Sequence, residues 1–254
     1  MQKKRVSAIS FYNTLPFIYG ISNSKIMDDI ELSIDPPAIC ADRLIAGSVD
    51  MGLVPIASMS EIKNASIFSN YCIGADGPAR TVLLASEVPI EEIKEIILDY
   101  QSRTSVQLIK LLVHEFWHFN ISFKMGSAGF EKTEIKNKTA AIVIGDKAFI
   151  VEKKYNYSYD LAEVWKNFTG LPFVFACWVT NCKLEKRFVD KFEEAILYGV
   201  SHISDAALTA KFNGLNCISD IEHYLRNNMS YNLDEKKKEG MRLFLEMIGK
   251  EKGI

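Results

Sequence analysis

Short apolar strands alternate with helix-length segments along most of this chain, and that alternation restricts it to an α/β architecture. Residues 5–11 are an apolar run, and 30–34 alternate as a short strand. Pro36-Pro37 then opens a helix through Ala46 that Gly47 closes. Residues 49–55 and 81–86 are two further buried strands. Pro89 starts a new unit, with strands at 96–100, 121–125 and 140–144 around a helix at 102–118. The apolar run 171–179 is long enough to leave one domain and enter another, and from about Glu185 onward the pattern is helical. Within 234–248, Met241, Phe244, Leu245 and Ile248 share one helix face. The expected arrangement is a split lobe, 1–86 plus 176–254, carrying an inserted lobe, 87–175, with a mostly parallel core. Two crossings without a flexible linker, near 86–89 and 173–177, would form a hinge.

The chain has 254 residues, 48% of them apolar and 24% charged, and a net charge of −2. That supports a sizeable core, and without a basic excess nothing points to a nucleic-acid partner. No window approaches the roughly 18 consecutive apolar residues of a membrane span. The segment after Met1-Gln2-Lys3-Lys4-Arg5 lacks the apolar length of a signal peptide, so a cytoplasmic protein is expected. Cys40, Cys72, Cys177, Cys182 and Cys217 are odd in number and form no CxxC pair, which suits free thiols.

Four polar stretches stand at strand ends. Tyr12-Asn13-Thr14-Leu15-Pro16 closes the first strand. Asn13 or Thr14 could cap the next helix, or the strand tip could open into a ligand crevice, where open α/β sheets bind their ligands. Gln101-Ser102-Arg103-Thr104-Ser105 places hydroxyls and a guanidinium at a helix start. Ser102 explains itself as a cap; the rest suits a bound carboxylate or phosphate. Asp76-Gly77-Pro78 is a turn signal, whereas Thr81 stands at the junction with its hydroxyl free to face the crevice. Asp146 follows a strand at 142–144, as a helix cap or a cleft residue. His114-Glu115-Phe116-Trp117-His118 matches H-E-x-x-H, but Phe119-Asn120 ends the helix at once and the opposite face is a core stripe. No metal site is expected there.

Taken in order, these stretches resemble one family. Ser10-Phe11-Tyr12-Asn13-Thr14-Leu15-Pro16, Gly47-Ser48-Val49-Asp50-Met51-Gly52-Leu53-Val54-Pro55, Asp76-Gly77-Pro78-Ala79-Arg80-Thr81, Ser102-Arg103-Thr104-Ser105-Val106, Ile144-Gly145-Asp146-Lys147-Ala148 and residues 165–176 are similar to the motifs of the chorismate dehydratases. The likeness spans about residues 5–180; the helical C-terminus adds little. It implies a type II periplasmic-binding-protein-like fold of two α/β lobes joined by two crossover strands, with the ligand cleft between them. It also implies a carbon–oxygen lyase of menaquinone biosynthesis by the futalosine route, acting on chorismate without cofactor or metal. Carried over by motif, the essential asparagine falls on Asn13 and the essential hydroxyl on Thr81, where other members commonly have Ser. Ser10, Thr14, Ser102, Arg103, Thr104, Ser105 and Asp146 are the expected substrate-binding positions.

The implied reaction removes water from chorismate to give 3-[(1-carboxyvinyl)oxy]benzoate. None of the matched motif residues is an evident strong base, and Asp146 is the only acid among the cleft candidates. The substrate's own enolpyruvyl carboxylate is therefore the expected proton acceptor, with the protein fixing its conformation. A small-carboxylate solute-binding protein of the same fold is the rival from another class. The nearer rival is the sister enzyme 1,4-dihydroxy-6-naphthoate synthase, whose opening motif differs. The chain is compatible with a monomer or a homodimer.

Overall fold

In a computed structural model, which describes residues 3–210 and 218–251, the chain builds two sheets. The first strand, β1 (Lys4–Ile9), turns into α1 (Leu15–Ser22) and returns as β2 (Ile30–Asp35). Then come α2 (Pro37–Ile45), β3 (Met51–Pro55) and β4 (Ser66–Ala75). The chain crosses to the second sheet through β5 (Val82–Ser86), β6 (Glu95–Leu98), α3 (Arg103–Leu111), β7 (Ser122–Met125), α4 (Phe130–Thr133), β8 (Thr139–Ile144), α5 (Ala148–Val151) and β9 (Tyr157–Asp160). Through α6 (Leu161–Thr169) it comes back as β10 (Phe173–Thr180). The remainder is α7 (Lys186–Ser201), α8 (Ile203–Leu208), α9 (Ile218–Asn227), β11 (Ser230–Asn232) and α10 (Glu235–Glu251).

Strand order is β11-β4-β10-β3-β1-β2 in one sheet and β7-β6-β8-β5-β9 in the other. Both are mixed, against the expected mostly parallel core. Strands β1, β2 and β3 run parallel because helices connect them, whereas β4 and β10 lie antiparallel beside each other at the two crossings. The crossings also fall earlier than expected, at residues 76–81 and 161–172 instead of 86–89 and 173–177. Strand β5 pairs with β8 and β9 and belongs to the second sheet. Its five residues are all buried, so its sequence is equally suited to the centre of either sheet.

Local chemistry sets the helix ends. Pro37 opens α2, and Gly47 leaves it at φ +68°. Ser102 accepts from the Ser105 N–H at 3.1 Å to cap α3, and Asp160 accepts from the Ala162 and Glu163 N–H groups to cap α6. Helix α3 is shorter than expected. It continues as a π turn over Leu112–Phe116, and His118 then takes φ +55°. The two imidazoles of the H-E-x-x-H match therefore do not stand one α-turn apart. His114 Nδ1 lies 2.8 Å from Glu115, and His118 Nδ1 lies 2.9 Å from the His114 carbonyl. Among the described residues no group of three or more His, Cys, Asp and Glu could hold a metal ion. No described helix is long and apolar enough to cross a membrane. Cys40, Cys72, Cys177 and Cys182 are free thiols, and Cys217 lies outside the described residues.

The larger apolar core draws on both sheets, and a separate smaller one gathers Ile97, Phe130, Val143 and Val151 in the second. Trp178 on β10 packs against Phe17 of α1 and Phe192 of α7, with ring centroids 5.9 and 5.0 Å apart. Helices α1 and α7 touch through Gly20 and Gly199, where a Cβ on either residue would strike the other helix's backbone.

Candidate active site

The first polar stretch does not cap its helix. Tyr12–Thr14 form one 3₁₀ turn leading into α1, and neither Asn13 nor Thr14 makes a side-chain capping bond. Thr14, fully buried, donates from Oγ1 to Asn13 Oδ1 at 3.2 Å, while Asn13 itself is half-buried.

Thr81 ends the first crossing and is 2% exposed. Its Oγ1 lies 3.0 Å from Tyr224 Oη and 3.3 Å from the Ala79 carbonyl. The residue before it, Arg80, is held at φ +59° by several contacts. The Arg80 N–H donates to Asp160, and the guanidinium pairs with Glu152 at 2.7 Å over the Phe149 ring. The hydroxyl is thus aimed by a fixed backbone.

Asn13 and Thr81 meet at a narrow cleft between the sheets with about 50 Å³ of free interior, too little for a small-molecule ligand unless the lobes part. Its apolar walls include Ile9, Phe11, Ile73, Val82 and Phe175; its polar points are Asn13, Thr81, Ser102, Thr104 and Ser105. No charged side chain is among the described residues that line it. Ser102 Oγ donates to Ser105 Oγ at 2.9 Å. Thr104 is engaged across the cleft: its hydroxyl donates to the Phe175 carbonyl at 3.1 Å and accepts from the Ala57 N–H at 3.3 Å.

Four expected site residues do not reach the wall, among them Thr14, which is buried behind Asn13. Ser10 is exposed, and its N–H extends the β1–β2 ladder to the Asp35 carbonyl. Arg103 pairs with Asp42 and Glu61, both from the other lobe. Asp146 caps no helix; its carboxylate accepts the Tyr12 N–H at 3.0 Å, and burial raises its pKa to about 7. Beside it Gly145, at φ +66°, lies under the Phe11 ring, where a Cβ would come within 2.6 Å.

Tyr224 was not legible as a site residue. In Ile221-Glu222-His223-Tyr224-Leu225 it continues a buried helix face, and only the need of a buried phenol for a partner signals more.

Comparison with known proteins follows the same lines. A chorismate dehydratase of Thermus thermophilus is 25% identical over 236 residues, 84% of each chain. The fold is that of periplasmic binding proteins. It is similar to a protein of Archaeoglobus fulgidus, with TM-score 0.75, 12% identity and 99% and 98% of the two chains covered. It is also similar to the aliphatic sulphonate binding protein SsuA of Escherichia coli, with TM-score 0.61, 13% identity and coverages of 100% and 94%. The family described as "Menaquinone biosynthesis" matches residues 4–250, so the chain belongs to that family.

Proposed function

We propose that this protein is a cytoplasmic chorismate dehydratase, a hydro-lyase whose catalytic pair is Asn13 and Thr81. The observation that carries the reading is their convergence on a cleft whose polar points are all uncharged. Dehydration of chorismate takes a hydrogen from the ring carbon that bears the ether and hydroxide from its neighbour. The C–H electron pair becomes the last ring double bond, and the hydroxide leaves with a proton as water. Aromatisation supplies the driving force, so positioning and charge stabilisation are what the protein must add.

With no basic side chain on the described walls, the proton goes to the substrate's own enolpyruvyl carboxylate. Asn13 and Thr81 orient that carboxylate and stabilise charge as it develops. The α3 start, with Ser102 and Ser105, receives the ring carboxylate. Arg103 joins the lobes in this reading and does not touch substrate. The inserted lobe runs from β5 to β9, and the two connections flanking it are the hinge. Mass spectrometry of chorismate incubated with the purified protein tests the proposal. A product lighter by one water is expected. Unchanged chorismate that nonetheless binds would favour a solute-binding protein instead.

A further inference from the structure

We propose that Tyr224 is the positioning residue of this site, its phenol holding the Thr81 hydroxyl from behind the cleft wall; the inference rests on the dehydratase reading above. The phenol is fully buried and is not among the cleft-lining residues. Its ring stands edge-on to Phe149 with centroids 5.0 Å apart, so the oxygen has one position. Burial pushes its titration far above the usual tyrosine range, which keeps it a neutral hydroxyl with one proton to give.

That single proton orders the network. Two acceptors then compete for the phenol proton: Thr81 Oγ1 at 3.0 Å and Met229 Sδ at 3.4 Å. A hydroxyl is the stronger acceptor, so the proton goes to Thr81, whose own proton is then free to turn from the Ala79 carbonyl at 3.3 Å to a substrate oxygen. The phenol thus holds the Thr81 oxygen and sets its rotamer. Without the phenol oxygen the hydroxyl can rotate.

The test is Tyr224→Phe, which keeps the ring and its packing. Turnover of chorismate should fall by roughly 10- to 100-fold in kcat, less than direct loss of a catalytic donor, with KM changed little. In a Thr81→Ala background the same change should cost nothing further, because the two groups act as one unit. A second readout needs no substrate. The Thr81 methyl resonance, identified by its loss in Thr81→Ala, should move in Tyr224→Phe of the unliganded protein. An unmoved methyl signal, or a normal kcat in an active enzyme, would overturn the proposal. If the wild-type protein leaves chorismate unchanged, the dehydratase reading fails, and the methyl signal alone decides the role of Tyr224.

Discussion

Arg80 holds a left-handed backbone at φ +59°, which costs a non-glycine residue on the order of 1 kcal/mol. The Asp160 carboxylate and the Glu152 ion pair offset that cost, and the result is a fixed aim for Thr81. Asn13→Ala and Thr81→Ala should therefore each lower turnover by about 10²–10³ without loss of fold, since each removes one donor to the reacting group. Thr81→Ser keeps the oxygen and should stay active. Steady-state rates with chorismate check all three, and an inactive Ser variant would mean that the methyl group matters. Asp146 gives a pH prediction. Its folded pKa is about 7, against about 3.9 in an unfolded chain. Between those values the folded protein holds a proton that the unfolded chain has released. Its contribution to stability thus declines as pH rises from about 4 to about 7 and is constant above. Asp146→Asn should flatten that decline, as read from urea midpoints at several pH values; an unaltered slope would assign it to other groups.

Helices α1 and α7 make the clearest prediction about an element. Gly199→Ala should raise helix propensity by about 1 kcal/mol, yet its Cβ would enter the Pro16 carbonyl of α1. Backbone on both sides cannot yield cheaply, so overpacking of about 1–3 kcal/mol wins. Thermal unfolding should show a lower Tm, by roughly 2–4 °C per kcal/mol; an equal or higher Tm would refute the close contact. At this scale the sequence was partly legible. Strands β1, β3, β6 and β8 and helix α2 announced themselves through apolar runs, prolines and a closing glycine. Strand β4 did not, because Ser66, Ser69 and Asn70 interrupt its apolar pattern and it is stabilised by pairing with β10 and β11. The end of α3 was misread because an α-helix and a π turn share the same apolar residues. Asn13 and Thr81 entered as candidates by motif, and the structure brings both to one cleft. Tyr224, the hydroxyl partner of Thr81, gave no such signal, since 143 residues separate the two and only tertiary packing brings them together.

The whole molecule stands closed. The Ala38 N–H donates to the Gln101 carbonyl, the Tyr12 N–H to Asp146, and the Ala57 N–H to Thr104, each from one lobe to the other. Arg103 adds a clasp to Asp42 and Glu61 on the rim. A closed protein admits its ligand only during the fraction of time it spends open, so entry is gated by the protein's own breathing. Stopped-flow mixing should then show an association rate that levels off as chorismate concentration rises. Arg103→Ala should raise that ceiling by no more than a few-fold, because a half-exposed ion pair is worth about 0–1 kcal/mol. A rate that climbs linearly to the diffusion limit would show that the door is ordinarily open. In a dehydratase, gating of this kind would also keep bulk water away from the ring while it aromatises, so the contacts that slow entry would be the ones that shelter the reaction.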